Sequence, residues 1–455
     1  MAIVADAVPK LKGLLRRFSL SETCRDLIMR MIITFILHSG RMSCSQASGA
    51  LPLQPLHKAQ LTRFLKRARW RSKKLSLQAA AQLLQRAGRR GGRFFLTIDA
   101  TSCSQQGTKT ENTYSTGNRK RRPQKRRRHG KHKHAPKKVH SFTFAVVIAP
   151  DGTRIPWQCP HYTKDYCKAH GLVPRTTAEL AAELIAEIPF PEGAEVIVLA
   201  DTAYDAKVVQ EACEKRGYTW IVPCNPERRL AGPKGERPLV RSLLKDWSTY
   251  ALKTVRFAPH QGEYVAYRRL SSSRSGPKTK PRTFYAHQEI REVHSVGKVR
   301  LVFSTTEQKL LKATPDTVKI LMTNNLRLSL REVVELYTLR WQIELFFKEL
   351  KSTLGMDQYR LREFAAVEGW IELAVLTMIY LESYRLDQLE RKNLEEAQRK
   401  WWQRQRAHGL CQAVKLHSQQ ADLQYIADRL ETDGGTRKLK RLMAQAIPQE
   451  YRCSM

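Results

Sequence analysis

Two short apolar runs in this chain each close on an aspartate: FFLTID ends at Asp99 and EVIVLAD at Asp201. Far downstream, SLREVVELYTLRWQIELFFKELKSTLG carries Glu344 together with Tyr337, Arg340 and Lys351. On a single α-helix, at about 100° per residue, those four side chains fall within about 60° of one another, while Leu339, Ile343, Phe346 and Leu350 lie on a different face. Taken alone, the stripe is an ordinary helix surface with an Arg340–Glu344 pair contributing about 0.3 kcal/mol. A strand-end aspartate taken alone is a cap or a turn residue. Together they offer three carboxylates that repel one another unless cations lie between them. Two Mg²⁺ ions, or Mn²⁺ in their place, about 3.5–4 Å apart would remove that repulsion, activate a water or a 3′-hydroxyl, and stabilise the leaving oxygen of an in-line displacement at phosphorus. The chemistry expected is metal-dependent phosphoryl transfer, with Asp99, Asp201 and Glu344 as catalytic residues and metal ligands.

The charge balance points to a polyanionic partner. Lys and Arg number 80 against 42 Asp and Glu, a formal charge of +38 over 455 residues, far more than solubility needs. Double-stranded DNA is the partner expected. A membrane surface would attract the same sign, but neither a lipid anchor motif nor a dominant basic amphipathic helix is present. The N-terminus MAIVADAVPKLKGLLRR lacks the pattern of a secretory signal, and the apolar stretches at 32–37 and 373–381 read as too short to span a bilayer. Nine cysteines stand singly with no CxxC pair, which fits a reducing cytoplasm better than a zinc module or a disulfide framework.

Those carboxylates need elements to hold them. Residues 1–90 read as a helical DNA-binding domain. Within it, HKAQLTRFLKRARWRSKK sets Arg63, Lys66, Arg67 and Arg71 around an apolar stripe, serving either DNA or a solvated face. Residues 91–221 read as the first part of a catalytic core: three antiparallel strands (FFLTID, SFTFAVVIAP, TRIPW), the amphipathic helix TTAELAAELIAEI, the strand EVIVLAD, a helix from Asp205 and a strand at TWIVP. The connection 104–140 is too long for a hairpin. Twelve of the twenty residues from Arg119 to Lys138 are Lys or Arg and none is acidic, as for a segment that orders on a phosphate backbone; a merely solvated run is the alternative. His129, His132 and His134 lie among so many cations that a divalent ion would be repelled. Residues 222–318 read as a β-rich insertion (YALKTVRFA, EYVAYRRL, RTFYAHQ, KVRLVFST), and 319–400 as the second part of the core. There one long helix carries Glu344, with Ser329 as N-cap, Glu332 as its capping-box partner and Gly355 as its stop. Residues 401–455 read as a helical C-terminal region. Strands that meander and then alternate with helices predict an α/β fold, a mixed sheet flanked by helices.

The order Asp99, Asp201, Glu344, with the signature Y-x2-R-x3-E-x6-K through Tyr337, Arg340, Glu344 and Lys351, resembles the Asp-Asp-Glu (DDE) transposases of bacterial insertion sequences, in the group with a Tyr-Arg-Glu-Lys helix. The resemblance spans most of the chain. It implies a ribonuclease-H-like core with a β insertion before the glutamate and a helical N-terminal domain, to which the residues themselves add the helical C-terminal region. It further implies two Mg²⁺ ions on the acidic triad, and contacts from Tyr337, Arg340 and Lys351 to DNA near the transposon end. Cut-and-paste transposition by a homodimer in a paired-end complex, through a hairpin intermediate, in the cytoplasm at the nucleoid, is likewise implied. The sequence departs from the family at Asp201-Thr-Ala-Tyr204, where a glycine two residues after the aspartate is frequent, and Asp205 offers a rival carboxylate. Trp247 is a weak candidate for an aromatic that receives a flipped base; burial is the other reading. Two rival functions remain: a noncatalytic or decayed end-binding protein, and a metal-dependent nuclease without joining activity.

Overall fold

The computed structural model describes residues 7–38, 42–52, 55–67, 70, 74–89, 91–105, 107, 109–116, 137–232, 236–257, 282–310 and 313–416. Among the described residues the first helices are α1 (Ala7–Arg16), α2 (Glu22–Leu37), α3 (Cys44–Gly49), α4 (Lys58–Lys66) and α5 (Leu75–Ala87). The sheet begins with β1 (Arg93–Gln105), which pairs antiparallel with β3 (Lys137–Ile148); β3 in turn pairs with the short β2 (Tyr114–Thr116) and with β4 (Arg154–Pro160). A tight turn makes the β3–β4 hairpin, with Gly152 at φ +80° and Asp151 Oδ1 accepting from Thr153 N at 2.9 Å. Two helices follow, α6 (Lys164–His170) and α7 (Thr177–Glu187), the latter opened by a Thr176/Glu179 capping box.

On the other side of β1 lies β5 (Glu195–Ala200), parallel to it, and β6 (Thr219–Pro223) runs parallel to β5 after α8 (Lys207–Lys215). The run EVIVLA is apolar without alternation because both faces of β5 are covered. Val196 and Val198 join the main core with α7 and α8, whereas Ile197 and Leu199 pack in a second cluster with α9 (Leu330–Tyr337). Three meandering strands and then parallel ones, in the order β3-β1-β5-β6, make the ribonuclease-H-like mixed sheet that the sequence predicts. The β-leaning runs of 222–318 yield β7 (Lys253–Phe257), β8 (Arg282–Val293) and β9 (Gly297–Thr305), preceded by a 3₁₀ segment, Val240–Thr249. Through β10 (Lys319–Thr323), antiparallel to both β6 and β9, these strands continue the core sheet, which has ten strands among the described residues. EYVAYRRL lies outside the described residues, as does the basic run 119–138 except for Lys137 and Lys138 in β3.

The strand that carries Asp99 and the helix that carries Glu344 both differ from expectation. β1 does not end at Asp99 but runs on to Gln105, because the long β3 pairs with it that far; only the parallel partner β5 stops, its last rung being Ile98↔Ala200. The long glutamate helix is also not continuous. Its capping box at Ser329/Glu332 is formed and Gly355 adopts φ +65°, but α9 gives way to a 3₁₀ turn, Thr338–Trp341, before α10 (Gln342–Ser352). At the break the Thr338 hydroxyl donates to the Glu335 carbonyl at 2.6 Å, a competition for backbone acceptors that tightens a helix.

The apolar segment after the glutamate helix becomes α11 (Phe364–Leu389), 26 residues long. By length and composition it could cross a membrane, contrary to the short stretch expected, yet 89% of its most apolar window is buried within the protein. It packs against α2, α4, α5, β4 and the last named helix, α12 (Glu396–Arg404). A Cβ at Gly369 would collide with the Leu65 carbonyl, so glycine lets α4 approach that closely. Ser76, in the first turn of α5, donates through N and Oγ, each at 2.7 Å, to the buried Glu372, whose pKa burial pushes up.

Candidate active site

Asp99 and Asp201 each stand one residue beyond the last rung of the parallel pair β1–β5, on neighbouring strands. Crevices outside the carboxyl ends of parallel strands are where α/β sheets place ligands, since no further strand pairing fills the space there. Asp201 leaves β5 as the N-cap of a 3₁₀ turn, Thr202–Tyr204. Asp99 remains in β1 opposite Phe144 of β3, and Phe144 meets the rings of Phe346 and Phe347 at 5.9 and 5.5 Å. That aromatic contact seats α10 across the strands and brings in the third carboxylate, Glu344, in its first turn.

Arg340 joins the groups. Its guanidinium lies 2.5 Å from Glu344 Oε1 and 3.8 Å from Asp99 Oδ2. Because i and i+3 eclipse in a 3₁₀ turn, Arg340 is carried over Tyr337, whose buried hydroxyl reaches the Ala200 carbonyl at 3.4 Å. At the far end of α10, Lys351 Nζ donates to Ser102 O of β1 at 2.8 Å. All six residues singled out in the sequence therefore line one end of the sheet. Leu339, Ile343, Phe346 and Leu350 are buried, as the helical stripe predicts.

The electrostatics follow from this crowding. Burial raises the Asp99 pKa above the ordinary carboxylate value, and the charges of Asp201 and Glu344 push the same way, against the Ala100 N–H bond and Arg340. Tyr337 and Tyr204 have phenols held well above their usual value by burial, with Asp201 and Asp99 adding to it. Arg340 is kept firmly protonated, since Tyr337, Glu344 and Asp201 outweigh its own burial. Among the described residues no group of three or more His, Cys, Asp or Glu forms a ready metal cage. The donor chemistry nonetheless fits a hard cation: the acidic groups offer oxygen only, and the Arg340 guanidinium already bridges Asp99 and Glu344 as a cation does.

The rival Asp205 is a structural group. Its side chain is wholly buried and binds Arg228 at 2.7 Å, Asn225 N at 2.7 Å and Gln210 Nε2 at 2.9 Å, fastening the connection after β6. Asp205→Ala is expected to lower stability by about 3 kcal/mol by stranding Arg228. Asp201→Ala should leave the unfolding midpoint near that of the wild type. Equal midpoints for Asp205→Ala and wild type would remove the structural role. Trp247 is buried beside Tyr250, 6.2 Å between ring centroids. Of the basic face on α4, Lys66 is engaged with Glu363 at 2.9 Å, Arg63 donates to Ala59 O, and Arg71 lies outside the described residues.

Sequence reasoning missed one cation, Lys319 at the start of β10. It sits 4.8 Å over the Tyr337 ring; the surrounding protein and Arg340 lower its pKa, while Asp201 and Glu344 pull it up. No motif flags it, because its position depends on how β10 pairs with β6.

Two known families match the chain. Residues 174–381, which include Asp201 and Glu344, match the family described as transposase DDE domain. Residues 18–241, which include Asp99 and Asp201, match the DDE superfamily endonuclease family. No curated protein matches the chain. The ribonuclease-H-like sheet and the two matched families define a nuclease of the transposase type. Both matches support a DDE transposase, each over a little under half of the chain.

Proposed function

We propose that this protein is the transposase of an insertion sequence, cutting the element's ends and joining them to target DNA by metal-dependent phosphoryl transfer. The observation that carries the reading is the bridging of Asp99 and Glu344 by Arg340 beside Asp201, on three segments far apart in the chain. Asp99, Asp201 and Glu344 would hold two Mg²⁺ ions, which when bound supply Lewis-acid activation of the attacking and leaving oxygens. Arg340, Tyr337 and Lys351 line the edge over which DNA would lie. The Arg340 guanidinium would be a second group for a phosphate, for which its planar fork suits it better than a point charge. The excess positive charge of the chain draws double-stranded DNA to the site and makes binding strongly salt-dependent. A homodimer holding both ends, acting in the bacterial cytoplasm at the nucleoid, completes the reading.

A nuclease without joining activity would use the same residues, and the endonuclease family matched over 18–241 keeps it as the second reading. One assay separates the possibilities: purified protein, a plasmid carrying the gene's own flanking DNA, Mg²⁺ or EDTA, and Asp201→Ala as control. Fixed breaks flanking the gene, dependent on metal and on Asp201, with 3′ ends recovered in target DNA, are expected. Breaks without joining favour the nuclease. Tight binding without a cut, in conditions where an active homologue cuts its own ends, points to a decayed end-binding protein.

A further inference from the structure

The start of β10 delivers a second cation to the edge that the carboxylates occupy. β6 runs parallel to β5, and β10 runs antiparallel to β6 with Leu321 opposite Pro223, the last residue of β6. Lys319, the first residue of β10, thus lies at the end of the sheet where β5 gives out to Asp201. The Tyr337 ring is a platform for it, with the ammonium 4.8 Å from the centroid, and Tyr337 is itself fixed by burial and by the Ala200 carbonyl. The ring quadrupole holds the ammonium over the aromatic face, and the N–H donors on its far side stay open to another partner. Lys319 is exposed to solvent, and among the described residues no carboxylate makes an ion pair with it.

The nearby carboxylates do not need it as a counterion, since Arg340 already spans Asp99 and Glu344. Lys319 feels the attraction of Asp201 and Glu344 and the repulsion of Arg340, so it stands within the site's field without pairing with any of its carboxylates. A positioned, solvent-facing cation at the edge of an acidic site suits an incoming anion, and for a chain of charge +38 that cuts DNA the anion is a phosphodiester.

We propose that Lys319 is a phosphate-contacting residue of this site: seated on Tyr337, its ammonium holds a phosphodiester of the DNA strand that lies across Asp201 and Glu344. The proposal rests on the reading of the chain as a DNA-cutting enzyme and adds a residue from the β-rich side of the sheet to its DNA contacts.

The test compares wild type, Lys319→Gln and Lys319→Arg in binding to a labelled duplex of the gene's own flanking DNA over a salt series, alongside thermal unfolding. Lys319→Gln is expected to bind more weakly, with a salt slope shallower by about 0.9 and an unchanged unfolding midpoint, and Lys319→Arg to recover most of the affinity. Wild-type affinity and slope in Lys319→Gln would overturn the contact. A lowered unfolding midpoint with an unchanged slope would also overturn it, in favour of a packing role. A wild-type protein that neither binds nor cuts this DNA would instead sink the function itself, and the contact with it.

Discussion

Replacing Glu344 with glutamine is expected to slow metal-dependent DNA cleavage by about three orders of magnitude or more, with binding of the uncut DNA retained. The lower bound follows from the Lewis-acid contribution of a bound ion, several kcal/mol at about 1.36 kcal/mol per tenfold in rate. Glutamine keeps the shape of the side chain and can still accept from Arg340, so α10 should stay seated on Phe144 through Phe346 and Phe347. What it loses is the charge that would hold the ion. Removing a negative group from an edge that faces polyanionic DNA should hold or tighten binding rather than weaken it. Cleavage and binding therefore move apart, and a loss of fold cannot imitate that, because unfolding takes both. Single-turnover cleavage of the plasmid and a binding titration of the same DNA read the two quantities. Cleavage at the wild-type rate would remove Glu344 from the site.

Glu382→Gln is expected to destabilise the protein by about 3–5 kcal/mol, the loss usual when one member of a buried ion pair goes and its partner charge is left uncompensated. Glu382 on α11 binds Arg154 of β4 at 2.5 Å and Arg385 at 2.9 Å, and Arg154 also lies 3.6 Å from Glu349 of α10. All four side chains are at most 7% exposed. The network ties the hairpin beside β1, the glutamate helix and the central helix together, so the substitution loosens the frame of the site without touching its edge. Burial pushes the Glu382 pKa up, but Arg154 and Arg385 outweigh it and hold the carboxyl below its ordinary value. A carboxyl depressed in the folded state contributes stability that is complete above the unfolded value of about 4.3 and drains away as pH falls through the folded value. Wild type and Glu382→Gln should thus differ most at neutral pH and converge in acid. Denaturant midpoints that coincide at pH 7 would contradict the assignment.

Much of the site was legible because its signals are local. An apolar run covered on both faces reads as a buried strand, which located β5 and its terminal Asp201. The capping box at Ser329/Glu332 and the glycine at 355 bounded the glutamate helix, and the spacing of Leu339, Ile343, Phe346 and Leu350 told which side of it is buried. The same local rules misread β1, whose length is set by a partner strand across the long basic connection, and the helix over 330–354, whose 3₁₀ turn forms where Tyr337 is anchored to β5. In sequence Asp201 is preferred over its rival Asp205 because it directly ends an apolar strand, and the burial of Asp205 against Arg228 sets the two apart in the structure.

The amino-acid sequence by itself determined the types of side chain available, the elements that carry Asp99, Asp201 and Glu344, and the positive charge that selects the partner, since propensity, periodicity and net charge are additive along a chain. Only the tertiary structure decided that Asp99 and Asp201 stand side by side where β5 gives out, that Arg340 spans Asp99 and Glu344, and that Lys319 arrives at the same edge. Those facts depend on strand register and on which helix packs across which strand, pairwise matters between segments a hundred or more residues apart, and no local pattern encodes them.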